Sequence, residues 1–279
     1  MADRPLRELR TLFVDPELGE YGLGRVAALV PAAECWPAAS VHSMRAITQA
    51  AATLDELLDA RIAAELVVGQ GAGVTVAVQL LAAGVARRVL LIDPIDYLTH
   101  DAGFEQVFRI DCPLPGPAPT TSASTAEERA AVQANIDRIT TAIAALRAGR
   151  VTEFYDWVAN GCSDRGEIRA AFRAALAAAD AARQPYDEGL VGPVGAGWAA
   201  LDWLATLRGL PANVVEIWYS RWPPGARLVM TAGYLRRELP GVKVKLCDWD
   251  RYGFLVAPER WARALRVRSV ANTTNRWVR

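Results

Sequence analysis

The run Val68-Gly-Gln-Gly-Ala-Gly73 places three glycines within five residues, between two apolar segments. Such a turn lets a backbone approach a ligand closely or hold a reactive side chain in a strained conformation. Two chemistries use it. One is pyrophosphate binding through G-x-G-x-x-G, which Gly69 and Gly71 fit, although the third glycine position is Val74. Asp93 then stands about 20 residues further on, where a ribose-binding acid belongs. The other is G-x-S-x-G, the sharp turn that lifts a nucleophilic serine above a sheet. Gly69 and Gly73 match its outer glycines, and Gly71 takes the nucleophile's place. These five residues alone leave both readings open.

Other residues could do acid–base or binding work. Asp15 and Asp93 each end an apolar run, the position where ligands bind in open α/β sheets. A carboxylate buried there can hold a raised pKa and act as general acid or base. The structural alternative for both is helix capping. Arg251 offers a planar fork suited to a ligand carboxylate or phosphate, or to a salt bridge with Asp248 or Asp250. Trp222, Trp249 and Tyr252 would line an aromatic pocket, or fill space by loop packing. Gln70 could donate a hydrogen bond into the pocket or stabilise the turn, with Gly71 and Ala72 beside it. His100, four residues after Asp96, either faces the cleft or sits on the surface, and His42 has the same alternatives. Cys35, Cys112, Cys162 and Cys247 are far apart and form no CxxC pair. With two histidines in the chain, a Cys/His metal site has no sequence support, and no cofactor is expected.

The elements that must position these residues alternate strand with helix. Thr11–Val14 predicts a buried strand stopping at Asp15-Pro16, followed by a helical stretch over 18–29. A strand is expected at 40–44 after the Trp36-Pro37 breaker. Thr53 with Glu56 forms a capping-box pattern for a helix running to about residue 64. Strands follow at 65–68 and 88–92, with an apolar helix at 74–83 between them. Strands separated in this way imply right-handed βαβ units and a parallel sheet. The alternation breaks at 111–126, where Pro113, Pro115, Pro117 and Pro119 make a stiff connector. Helical stretches at 126–148, 151–160 and 165–183 then read as a lid. Strand–helix alternation returns with a strand at 213–218, a helix near 225–238, a strand at 242–246 and a last helix from Pro258.

A dinucleotide-binding domain usually opens with its glycine turn, whereas about 65 residues precede this one. The inserted helices and the final quarter resemble the α/β-hydrolases. In that likeness the segment 211–265 runs strand, acid turn, helix, Leu239-Pro-Gly-Val-Lys-Val, histidine loop, and a Pro-Glu-Arg-Trp-Ala helix. The resemblance spans about residues 8–268 and implies a core at 1–110 and 196–279 with a lid at 111–195. It also implies where the hydrolytic machinery would lie. The nucleophile falls on Gly71, the acid on Trp222, the base on Arg251, and the His-Gly beside the oxyanion hole on Asp15-Pro16. Glycine cannot attack, arginine stays protonated, and an aspartate opposes a developing oxyanion. A Ser–His–Asp hydrolase is therefore not expected.

Composition limits partners. Lys+Arg and Asp+Glu both number 31, so a net charge of zero gives no basic face for nucleic acid or an anionic membrane. No apolar run is long enough to span a bilayer, and the N-terminus has no signal-peptide core, so a cytoplasmic protein is expected. The expected fold is a mostly parallel, twisted α/β-hydrolase sheet flanked by helices, with an inserted helical lid. The expected function is a non-hydrolytic enzyme of small organic metabolites, in a biosynthetic setting, working by acid–base cyclisation, elimination or isomerisation. Its catalytic residues would be Asp15 and Asp93. The alternatives are a non-catalytic pseudoenzyme that binds a ligand or partner, and below it a dinucleotide-binding protein. A homodimer is compatible with either.

Overall fold

A computed structural model describes residues 6–15, 18–36, 50–71, 73–94, 141, 144–145, 148–150, 152–153, 156, 159, 163, 165–181, 203–220, 236 and 239–271. Six strands form one sheet: β1 (Arg7–Val14), β2 (Ala33–Trp36), β3 (Ile62–Gln70), β4 (Val89–Ile92), β5 (Val215–Ser220) and β6 (Lys243–Cys247). Their order is β2-β1-β3-β4-β5-β6, and every pairing among the described residues is parallel. The central strands are apolar on both sides, which is the pattern a doubly covered parallel sheet requires.

Alternate residues divide the core into two layers. Leu12, Val14, Val67, Leu91 and Ile217 face helices α2 (Ala50–Asp59), α3 (Gly73–Ala82) and α5 (Trp203–Arg208). Phe13, Val68, Leu90, Ile92 and Trp218 face α1 (Leu23–Ala27), α4 (Gly166–Ala181) and α6 (Pro258–Ala271). Each fully buried Val, Leu, Ile or Phe side chain stabilises the fold by about 1.5–3 kcal/mol. Gly69 is demanded by packing: a Cβ there would lie 2.5 Å from the Gly73 carbonyl oxygen and 2.8 Å from Ala77 Cβ. Helix α3 can therefore lie directly against β3.

Several boundaries differ from the sequence reading. Strand β3 begins at Ile62, so the helix before it ends five residues earlier than residue 64. Arg61 turns the chain there with φ +51°. Helix α2 starts at Ala50, which puts Thr53 inside it rather than at its cap. The strand after α1 is Ala33–Trp36; the expected one at 40–44 lies outside the described residues. The helical stretch 18–29 is a 3-10 turn at Gly19–Tyr21 plus the short α1, split by Gly22. Strand β5 runs on to Ser220, two residues past the expected end. Of the helical stretches expected at 126–183, α4 is the one described whole, and it packs Ile168 and Phe172 into the same layer as Tyr252 and Phe254.

Candidate functional site

Parallel strands bring their C-terminal ends to one edge, and five of the eight buried polar residues among those described collect there. Asp15, Gln70, Asp93, Ser220 and Asp250 are each less than one-tenth exposed. They follow or end β1, β3, β4, β5 and β6 respectively.

Strand β3 passes through Gln70 into Gly71, whose φ of +52° is left-handed and suits a residue without Cβ. The Gly71 N–H donates to the Ile92 carbonyl (3.1 Å), and the Val74 N–H donates to the Gly71 carbonyl (3.3 Å). This is a strand–turn–helix elbow with glycine at its apex. Gln70 Nε2 donates to the Arg251 carbonyl oxygen (3.0 Å), which draws the loop after β6 against the elbow. That leaves Gln70 Oε1 buried, with no donor among the described residues.

Asp15 and Asp93 have contrasting partners. Asp15 Oδ1 accepts from the Leu18 N–H (3.1 Å) and Oδ2 from the Leu23 N–H (2.8 Å). Leu23 opens α1, so this carboxylate caps a helix, and a Cβ on Gly22 would collide with Oδ2. Asp93 accepts from Ser220 at both oxygens, the N–H at 2.7 Å and Oγ at 2.6 Å, bridging the ends of β4 and β5. Its φ of +46° is unusual for a residue with a side chain and costs about 1–2 kcal/mol. Burial raises its pKa above 3.8; the positive charge of Arg251 and the Ser220 hydrogen bonds pull it back down, and Asp250 pushes it up. Tyr219 is driven to a higher pKa by the same burial and by Asp93. Cys247 is pushed up to about 11, chiefly by burial.

Half-buried Arg251 lays its guanidinium over the Tyr252 ring at 5.1 Å. Asp93, which the sequence reading did not pair with Arg251, feels its positive charge. Trp249 stacks on Trp261 (4.2 Å between ring centroids) and meets Trp218 at 5.2 Å. Tyr252 is buried and tilts against Phe172 of α4 at 4.4 Å. Trp249 Nε1 is buried with no acceptor among the described residues. Asp250 Oδ2 accepts from Ser163 Oγ (2.8 Å), tying the start of α4 to the Arg251 loop.

The structure thus brings Gln70, Gly71, Asp93, Trp249, Arg251 and Tyr252 to one end of the sheet, with Asp15 at the β1 side of that edge. Ala72, His100 and Trp222 lie outside the described residues. Sequence reasoning missed Ser220 and Ser163, and offered Asp250 only as a salt-bridge partner of Arg251. A serine ending an apolar strand in register beside Asp93's strand was the available signal for the first. Among the described residues no group of three His, Cys, Asp or Glu could hold a metal, and no helix is long and apolar enough to cross a membrane.

No protein-family model and no curated protein sequence matches the chain. Solved structures do match its fold. The crystal structure of a protein named DBJA is 13% identical with a TM-score of 0.59, covering 98% of this chain and 94% of its own. A haloalkane dehalogenase variant from Bradyrhizobium elkanii is 16% identical with a TM-score of 0.53, over 98% and 93%. A structure from work on carboxylesterases of the thaumarchaeon Nitrososphaera gargenis is 11% identical with a TM-score of 0.53, over 99% and 94%. These likenesses, with the parallel six-stranded sheet and its flanking helices, show an α/β-hydrolase fold. A dinucleotide-binding sheet would order its strands 3-2-1-4-5-6 with the glycine turn after the first, unlike the order here.

Proposed function

From an α/β-hydrolase fold whose elbow apex is a glycine, we propose a non-hydrolytic enzyme of small organic metabolites. Its chemistry is proton transfer in a cyclisation, elimination or isomerisation. The observation that carries this reading is the hydrogen bond from Gln70 to the Arg251 carbonyl. It gathers the elbow, a cationic side chain and the buried Asp93 carboxylate at the edge where α/β sheets take ligands. Asp93 is the acid–base group: burial favours its protonated form, and Arg251 and Ser220 hold that preference in check. Arg251 orients an anionic or carbonyl oxygen of the substrate. Asp15, with both oxygens on backbone N–H groups, serves the site by fixing the end of β1 and α1. Helix α4 supports the Arg251 loop through Ser163 and Asp250 and belongs to the lid at 111–195.

Proton transfer has a direct readout. A panel of small ketones, β-keto acids and hydroxy acids in deuterium oxide should reveal at least one compound whose C–H signal the protein washes out in proton NMR. An Asp93→Asn protein should leave that signal intact. Exchange unchanged in Asp93→Asn would remove Asp93 from the chemistry. Absence of exchange across the panel, with binding retained, would favour the non-catalytic ligand-binding reading.

A further inference from the structure

Asp250, Arg251 and Tyr252 follow one another in the loop after β6, and each is held from a different point. Ser163 Oγ donates to Asp250 Oδ2 (2.8 Å) and accepts from the Arg165 N–H (3.0 Å), so its hydroxyl is oriented from both sides. Gln70 Nε2 donates to the Arg251 carbonyl oxygen (3.0 Å). The Phe172 ring meets Tyr252 with 4.4 Å between centroids, and the same Tyr252 ring lies under the Arg251 guanidinium at 5.1 Å. Ser163, Phe172, Asp250 and Tyr252 are all buried. A hydroxyl bound to a carboxylate in such surroundings is one of the stronger hydrogen bonds a protein makes. Two of the three anchors thus come from residues 163–172, the start of α4. The third joins the loop to Gln70, whose register partner Ile92 immediately precedes Asp93.

We propose that Ser163 and Phe172 are positioning residues for Arg251: the seating of α4 fixes the loop, and the loop holds the guanidinium within electrostatic reach of Asp93. This rests on the proton-transfer reading above and adds its control, because the charges around Asp93 then follow whether α4 is seated. The loop brings Arg251, which favours the Asp93 carboxylate, and Asp250, which opposes it; Ser220 of β5 favours it through two hydrogen bonds. Tyr219 and Cys247, at the ends of β5 and β6, also register the Asp93 charge. Displacing Arg251 raises the pKa of Asp93, whereas neutralising Asp250 lowers it. The sign of a change therefore tells which of the two was disturbed.

Carboxyl-carbon NMR of the full-length protein, with the Asp93 signal assigned by its loss in Asp93→Asn, reads the titration midpoint of Asp93. Arg251→Met should raise that midpoint by about one pH unit, because it removes the nearby opposite charge. Ser163→Ala should raise it by a smaller amount, and that rise should vanish when the change is made in the Arg251→Met background. Ser163→Thr keeps the hydroxyl and should return the midpoint to the wild-type value. Phe172→Leu keeps apolar bulk without the ring and should also raise the midpoint, which decides the matter where Ser163→Ala fails to fold. An unchanged midpoint in both variants, even with a lowered Tm, would overturn the inference and leave Ser163 and Phe172 as packing contacts. A lowered midpoint would overturn it too, since that marks loss of the Asp250 charge, as would a rise that persists in Arg251→Met. A midpoint indifferent to Arg251→Met itself would go further, and count against the site that Arg251 and Asp93 share.

Discussion

Asp15 and Asp93 occupy equivalent places on β1 and β4, the two strands that flank β3. Each is a buried carboxylate just past the C-terminal end of a parallel strand. At β1, both oxygens of Asp15 accept backbone N–H groups, and Gly22 packs closely against one of them. At β4, Asp93 sits in a left-handed conformation, shares Ser220, and feels the charges of Arg251 and Asp250. Position at a strand end is thus a poor guide to chemistry by itself. What marks Asp93 is that charged neighbours, Arg251 and Asp250, bear on it when a proton moves.

The largest effect should fall on the structural side. Asp15→Ala leaves the buried N–H groups of Leu18 and Leu23 without a charged acceptor and should cost about 3–5 kcal/mol in urea unfolding. Asp15→Asn should cost roughly half of that, because one oxygen remains. A loss below about 1 kcal/mol would mean that Asp15 is held by something other than its two N–H partners. Gly69→Ala comes next, at about 2–3 kcal/mol, since its methyl group would meet the Gly73 backbone rather than a flexible side chain. Gly71→Ala should cost about 1–2 kcal/mol, from the left-handed backbone at the elbow.

On the other side the signature is pH dependence. The raised pKa of Asp93 means that the folded state prefers the protonated acid. Its stabilising contribution is complete below pH 3.8 and is lost as pH rises through the higher folded value. Asp93→Asn can keep an acceptor for the Ser220 N–H and titrates no proton, so its stability should gain on the wild type as pH rises above about 4. Parallel stability–pH curves for the two proteins would contradict the burial of an ionisable group there. The smallest effect concerns Cys247, whose thiol is pushed up to about 11. At pH 8 it should resist iodoacetamide, as read by peptide mass mapping, because the thiolate is scarce.

How much of this was legible in the sequence follows the same divide. The strand–turn–helix at 62–82 was readable because apolar runs, glycines and a helix period coincide there. The register that seats Ile92 beside Gln70 and Trp218 was not, because pairing is settled between segments 22 and 126 residues apart. Asp15 and Asp93 look alike as sequence; their partners, Leu23 and Ser220, are fixed by folding, and the second lies 127 residues away. Helix α2 shows a competing local signal. Thr53 and Glu56 have capping-box spacing, yet the helix continues back to Ala50, since alanines 50–52 favour it. That Asp93 also feels the Arg251 charge was not legible, because the two are far apart in sequence and near in space.

Glycine at the elbow apex leaves no side chain there to attack a carbonyl. The most direct test is the initial rate of p-nitrophenyl acetate hydrolysis by the purified wild-type protein. A rate equal to the buffer blank is predicted, because Gly71 presents no side chain and Arg251, whose backbone is tied to the elbow by Gln70, stays protonated. Saturable turnover above the blank that disappears on replacing a serine or cysteine would contradict it, and would show that hydrolysis survives through a nucleophile elsewhere.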